Sequence, residues 1–287
     1  MKIIFAKNIG FCSGVKRAIE IAEKSLEEDP KPVQFLGNLV HNELVVKRLI
    51  EKGGKIVSNL KQIKSGTLIT KAHGISPALK KRVPKSILVR NTVCPLVQNA
   101  QFKAEALLKD GYQVIIVGDR NHPEIRGIKG YTKNKAIIIE GENQAESLRF
   151  LKKVGGKKIG IISQTTQDLD RFNKILRILK NKAGEIKWFN TICPEVIVRQ
   201  KELDKILENC NGILVIGSRS SANTKRLAEK AKKINKRVFW VNSLDELKRK
   251  KIKGISTLGV VSGTSAPDEE IEKIRTYLAS LGRTLIR

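Results

Sequence analysis

Asn91-Thr92-Val93-Cys94-Pro95-Leu96-Val97 reappears 99 residues further on as Asn190-Thr191-Ile192-Cys193-Pro194-Glu195-Val196. The same displacement relates Val114-Ile115-Ile116-Val117-Gly118-Asp119-Arg120 to Ile213-Leu214-Val215-Ile216-Gly217-Ser218-Arg219. It also relates Ile161-Ile162-Ser163-Gln164-Thr165-Thr166 to Val260-Val261-Ser262-Gly263-Thr264-Ser265. Matches at one fixed offset mark a chain built from copies of one supersecondary unit. The first third follows the same order more loosely. Cys12 stands 25 residues before Gly37, where Cys94 and Cys193 stand 24 before Gly118 and Gly217. Leu68-Ile69-Thr70-Lys71-Ala72-His73-Gly74 takes the place of the third segment after a shorter spacing.

Each copy alternates short β-rich runs with helical stretches. In the middle third, 113–117, 136–139 and 158–162 read as strands, and 101–109 and 143–153 as helices. Short apolar strands separated by helices imply parallel sheets covered on both faces. In such sheets ligands bind beyond the carboxyl ends of the strands, where every repeated segment ends. The pattern predicts an α/β fold of three similar α/β/α units with small parallel sheets, in a pseudo-three-fold trefoil around a central cavity. The expected units span 13–93, 94–192 and 193–287, with an N-terminal strand over 1–12 leading to the cavity.

The 287 residues, 40% hydrophobic and 29% charged, suffice for several packed cores. No apolar run is long enough to span a bilayer, and Met1-Lys2-Ile3-Ile4-Phe5-Ala6-Lys7 is too soon interrupted by Lys7 for a leader segment. A cytoplasmic location and no membrane partner are expected. The net charge of +28 raises nucleic acid as a partner. Residues 225–253 alone hold twelve Lys or Arg against three Asp or Glu. Aromatics are only 5% of the chain and do not interleave with the basic residues as a base-stacking surface requires. Solvated helix faces without nucleic acid are therefore expected, with attraction of acidic partners and anionic substrates as a second consequence.

Four cysteines without a C-x-x-C pair argue against a disulfide framework, a zinc ribbon or a thioredoxin-type motif. A single buried cysteine is ordinarily a small hydrophobe, and Cys210, which has no counterpart in the other copies, is read that way. Cys12, Cys94 and Cys193 occupy equivalent positions, and three thiolates suit zinc or an iron–sulfur cluster. The other strand tips carry His41, His122 and Ser221, four residues after the glycines, then His73, the Thr165-Thr166 pair and Ser265. All three histidines of the chain stand at tips. Glu124 is the one carboxylate of these signatures and a candidate proton donor; Asn223 follows Ser221. Histidines, hydroxyls and an amide, aided by helix N-termini, suit a phosphate or diphosphate. At roughly 1.5–3 kcal/mol each, six or seven such donors supply the ~8 kcal/mol of micromolar binding without arginine.

In this order, Gly10-Phe11-Cys12-Ser13-Gly14-Val15, Val40-His41-Asn42, Ala72-His73-Gly74, Cys94-Pro95-Leu96-Val97, His122-Pro123-Glu124, Gln164-Thr165-Thr166, Gly217-Ser218 with Asn223, and Ser265-Ala266-Pro267-Asp268 resemble the LytB, or IspH, family of 4-hydroxy-3-methylbut-2-enyl diphosphate reductases. The resemblance covers essentially the whole chain. It implies a trefoil with one 4Fe–4S cluster held by Cys12, Cys94 and Cys193, one iron being left open for the substrate hydroxyl. It implies the last step of the non-mevalonate route to isoprenoids, in which two electrons and two protons remove that hydroxyl as water. Glu124 would be the proton donor, with Thr165 beside the hydroxyl. His41, His73, His122, Ser221, Asn223 and Ser265 would bind the diphosphate, and ferredoxin or flavodoxin would deliver electrons. Ser13, Val93 and Ala222 depart from the family's usual residues, and none of these changes removes a cluster ligand or Glu124. A zinc protein using the same thiolates is the rival reading. An RNA-binding protein would leave the repeated cysteine and histidine tips unexplained.

Overall fold

The computed structural model describes every residue except 148, 149, 151, 153, 236, 251, 253, 281–283 and 287. Its strands are β1 (Lys2–Phe5), β2 (Val33–Leu36), β3 (Lys55–Val57), β4 (Thr67–Ile69), β5 (Leu88–Arg90), β6 (Gln113–Val117), β7 (Ile137–Ile139), β8 (Lys158–Ser163), β9 (Glu185–Trp188), β10 (Gly212–Ile216), β11 (Val238–Val241), β12 (Thr257–Ser262) and β13 (Thr284–Ile286). They form three parallel sheets, ordered β3-β2-β4-β5, β7-β6-β8-β9 and β11-β10-β12-β1-β13. The third order is that of the first two with one replacement and one addition, β13 at the edge beside β1. β1, from the start of the chain, fills the place that β5 and β9 hold, pairing in register from Lys2↔Thr257 to Phe5↔Val260 of β12.

The described chain divides into two compact units. One comprises Met1–Lys16, Val40–Leu49 and Pro194–Arg287 and contains the five-stranded sheet. The other comprises Arg17–Leu39 and Ile50–Cys193 and contains both four-stranded sheets.

β10, and β6 after Gln113, are apolar throughout because helices cover both faces. In β10 the alternation of side chains sends Leu214 and Ile216 into one core with Ile3, Phe5 and Val260, and Ile213 and Val215 into another with Leu203, Leu227 and Val261. In the second sheet Val114 and Ile116 pack with Ala100, Ala104 and Leu107 of the helix Pro95–Lys109. Gly160 of β8 lets that helix approach: a Cβ there would lie 2.7 Å from a Leu107 methyl.

A helix begins directly after each repeated cysteine, at Ser13–Glu28, Pro95–Lys109 and Pro194–Asn209. The helix expected over 101–109 thus starts six residues earlier, at Pro95, whose fixed φ and missing N–H suit a first helical position. The strand expected over 136–139 is Ile137–Ile139. Of the helix expected over 143–153, Glu142–Glu146 is helical; residues 148, 149, 151 and 153 of that expectation lie outside the described residues.

Leu107 is fully buried against β6 and β8. Leu107→Ala should lower stability by about 2–5 kcal/mol, measured by urea unfolding; a change under about 1 kcal/mol would show that this helix–sheet contact is not tightly packed.

Candidate functional site

In every third of the chain the cysteine is presented in the same way. Its backbone N–H donates to a carbonyl in the loop that follows the neighbouring strand. Cys12 bonds to Thr264 at 2.9 Å, Cys94 to Ala72 at 2.9 Å, and Cys193 to Thr165 at 2.8 Å. The acceptors stand just beyond β12, β4 and β8. The three thiols are free of disulfides and half-buried, and that of Cys94 caps no helical N–H. Soft thiol donors at three equivalent positions suit an iron–sulfur cluster in their chemistry. Among the described residues no group of three or more His, Cys, Asp or Glu side chains is disposed to hold a metal ion, so a cluster assignment rests on those equivalent loops. Cys210 packs with Leu203, Ile206 and Ile213, and burial pushes its thiol pKa up. It is packing, as expected from its lack of a counterpart.

In the unit containing the two four-stranded sheets, Glu124 lies in the first turn of the helix Pro123–Tyr131 and is 2% exposed. The Thr165 backbone N–H donates to its Oε1 at 2.7 Å, and the Thr165 hydroxyl donates to its Oε2 at 2.8 Å. Burial raises the Glu124 pKa to about 7, against both Thr165 hydrogen bonds, which favour the carboxylate; the Asp119 charge adds to the rise. A backbone N–H can only donate, so Oε1 must stay an acceptor and the proton of neutral Glu124 belongs on Oε2, facing the Thr165 hydroxyl.

His122 caps the same helix, its Nδ1 accepting the Glu124 N–H at 3.2 Å. An accepting Nδ1 leaves Nε2 as the donor of the neutral ring. His73 is buried with its ring edge-to-face against His122, centroids 6.2 Å apart. Gly74 follows at φ +85°, and a Cβ there would lie 2.3 Å from the Gln101 amide nitrogen. Only glycine satisfies both the backbone and the space in the turn behind His73.

In the unit containing the five-stranded sheet, the Ser265 hydroxyl donates to the His41 carbonyl at 3.1 Å. Ser221 caps the helix Ala222–Ile234, its oxygen accepting the Thr224 N–H at 3.3 Å, which leaves its own hydrogen to donate. Asn223 is 1% exposed, and neither its amide oxygen nor its nitrogen has a hydrogen-bond partner among the described residues. Leaving a buried polar group unpaired costs about 1–3 kcal/mol, so this amide calls for a partner.

Some supporting residues carry no motif of their own. Glu43, directly after His41-Asn42, accepts from the Ser218 hydroxyl at 2.8 Å and from the Asn242 amide at 3.3 Å. Burial opposes its charge, but the Ser218 and Ser220 hydroxyls and its own backbone hold its pKa below the usual range. Asn42 caps the following helix through the Leu44 N–H at 2.9 Å and donates to Asn242 at 3.2 Å. An Asn just before a helical run was the available signal. Arg199, 4% exposed, donates to the carbonyls of Gly10, Ser262 and Gly263 at 2.8, 3.1 and 3.2 Å and to the Ser262 hydroxyl at 3.0 Å. It ties the loop before Cys12 to the loop that receives the Cys12 N–H. Ser13, a departure from the family pattern, donates its hydroxyl to Glu195 at 2.6 Å.

A family model described as LytB protein matches residues 3–279. The 4-hydroxy-3-methylbut-2-enyl diphosphate reductase of Geobacter metallireducens is 39% identical over 96% of this chain and 97% of its own length. That of Dictyoglomus turgidum is 38% identical over 98% of this chain and 97% of its own. The solved structure of the E-1-hydroxy-2-methyl-but-2-enyl-4-diphosphate reductase from Plasmodium falciparum matches with a TM-score of 0.90 at 30% identity, covering 100% of this chain and 91% of that one. A solved (E)-4-hydroxy-3-methyl-but-2-enyl diphosphate reductase, described as the terminal enzyme of the non-mevalonate pathway, matches at 0.68 and 33% identity, covering 97% and 99%.

The Glu124 environment is testable directly. Its protonated carbonyl band in infrared difference spectra should disappear on raising the pH through about 7. Thr165→Val removes a hydrogen bond that favours the carboxylate, so the midpoint should move up; a midpoint near 4.5 in the unaltered protein would mean that the carboxyl is solvated.

Proposed function

The chain belongs to the LytB family, and from that premise we propose that it reduces (E)-4-hydroxy-3-methylbut-2-enyl diphosphate to isopentenyl diphosphate and dimethylallyl diphosphate, the last step of the non-mevalonate route to isoprenoids. The allylic C–O bond breaks, the oxygen leaves as water and a C–H bond forms, with two electrons and two protons completing the balance. The observation that carries the reading is the buried Glu124 carboxyl, poised near pH 7 with its proton-bearing oxygen on Thr165.

Glu124 is the proton source. When its Oε2–H donates to the Thr165 hydroxyl, that hydroxyl turns its own hydrogen outward, toward the oxygen that leaves. Water competes poorly for the proton because Glu124 is buried. His41, His73, His122, Ser221, Asn223 and Ser265 bind the diphosphate, and Thr165 contacts the hydroxyl end. The orphaned amide of Asn223 and the free hydrogen of the Ser221 hydroxyl support that assignment. Cys12, Cys94 and Cys193 would hold one 4Fe–4S cluster, which when bound supplies single electrons and a Lewis-acidic iron without a protein ligand. A small acidic carrier, ferredoxin or flavodoxin, delivers the electrons, an encounter that the net charge of +28 favours. No helix among the described residues is long and apolar enough to cross a membrane, which is compatible with a cytoplasmic enzyme.

Iron and sulfide analysis of anaerobically purified protein, together with conversion of the hydroxylated diphosphate under an artificial one-electron reductant, tests the whole reading; a colourless zinc protein would end it. Cys12→Ser, Cys94→Ser and Cys193→Ser should each lose cluster and turnover, and Cys210→Ser should keep both. Glu124→Gln should bind substrate normally while turnover falls roughly 10²–10⁴-fold. Asn223→Ala should weaken substrate binding about 10- to 100-fold, read by calorimetric titration.

A further inference from the structure

The turns that follow His73 and His122 also form one side of a cleft of about 560 Å³, lined by Gly74, Ser76, Pro123 and Gly127 among others. It opens beyond the carboxyl ends of β2, β3 and β4, where parallel sheets collect ligands. Four cations line it, Lys61, Lys71, Arg82 and Arg126, and among the described residues no carboxylate does. Arg48, Lys52, Arg90 and Arg120 each meet a carboxylate. Among the described residues none of the four cleft cations does.

Lys71 is the most telling of them. Its ammonium is drawn in over the tip of β2 instead of extending into solvent, since a Cβ on Gly37 would lie 2.8 Å from Lys71 Nζ. Burial holds its pKa below the usual lysine value, and the Arg126 charge lowers it further. The partly buried Lys71 ammonium and the Arg126 guanidinium repel one another, and an anion between them reverses the sign of that interaction. The volume suits a small molecule, and no aromatic side chain lines the cleft to stack a nucleobase.

We infer that this cleft binds a phosphorylated small molecule through Lys61, Lys71, Arg82 and Arg126, as a second anion site that uses none of the histidines, hydroxyls or Asn223 assigned to the substrate diphosphate. Its occupant sits against the turns behind His73 and His122, so the site is placed to adjust them. The recognised chemistry, a phosphate or diphosphate group, is shared by the enzyme's own diphosphates and by other phosphorylated metabolites.

Calorimetric titration of the full chain with inorganic diphosphate at fixed low ionic strength tests this. The double variant Lys71→Gln/Arg126→Gln should lose one binding event or weaken it about 10- to 100-fold, whereas Asn223→Ala should retain that event. Lys61→Gln/Arg82→Gln, at exposed positions, serves as the second variant and should weaken the same event should the first double variant fail to fold. Comparing isopentenyl diphosphate with inorganic diphosphate separates the two sources: a preference for the former assigns the cleft to the enzyme's own diphosphates, equal binding to phosphorylated metabolites generally. An isotherm unchanged by both double variants overturns the inference. So does a titration in which Asn223→Ala abolishes every diphosphate event, or a cleft that takes only an acidic polyglutamate peptide. None of these readouts depends on turnover, so the failure of the reductase reading and the failure of this one are distinguishable.

Discussion

Each repeated cysteine hangs from one backbone hydrogen bond, from its own N–H to a carbonyl in the loop beyond the adjacent strand, and the arrangement of the sheets follows from the need to make that bond three times. The donor strand must lie beside the acceptor strand, in parallel, so that both run out at the same end. β5 lies beside β4, β9 beside β8, and β1 beside β12. The last third's own fourth strand, β13, pairs with β1, and the first residues of the protein fill the place beside β12. Loss of β1 from its sheet would remove Cys12 from the Thr264 carbonyl, however well the rest of that unit packed. Arg199 reinforces the same junction from the helix side, through Gly10, Ser262 and Gly263.

Glu124 shows which of two opposed effects wins in a buried acid. Two hydrogen bonds from Thr165 favour its charge, yet burial prevails and its pKa lies near 7 instead of 4.5. A folded-state pKa above the unfolded one contributes stability that is complete below about 4.5 and is lost as the pH rises through about 7. At high pH the ionised buried carboxyl costs roughly 3 kcal/mol relative to an ordinary glutamate. Most of that stability is already lost at neutral pH.

The repeat and the tip residues were legible because both are local: cysteine, glycine and histidine positions recur at one spacing, and each falls after a strand-forming run. The parallel α/β class followed from the same runs. What the sequence hid was pairing at a distance. Nothing near Lys2 announces that it lies beside Thr257, and nothing near Glu124 announces Thr165. Arg199 and Glu43 were missed for the same reason, since their roles exist only where loops from separate segments meet. The early start of the helix after Cys94 was different, because Pro95 signalled it and the apolar spacing drew attention further along. The basic block over 225–253 is read from sequence as solvated faces, whereas the cations of the cleft are scattered from Lys61 to Arg126, and a scattered set leaves no run to notice.

The choice of donors at His122 and Thr165 follows from the acid beside them. An arginine beside Glu124 would stabilise its carboxylate and lower the pKa, stripping the proton at neutral pH. A neutral imidazole at His122 and a hydroxyl at Thr165 donate hydrogen bonds without that penalty, and they avoid the cost of burying an unpaired cation. The chain does place a cation close by in sequence: Arg126 is two positions after Glu124 on the same helix. Residues two apart on a helix do not share a face, and Arg126 is exposed and donates to the Asn121 carbonyl at 2.9 Å while Glu124 is buried against Thr165. Asp119, not Arg126, is the charge that bears on the Glu124 pKa. The turn of a single helix thus separates a buried acid with a pKa near 7 from a basic cleft that would otherwise lower it.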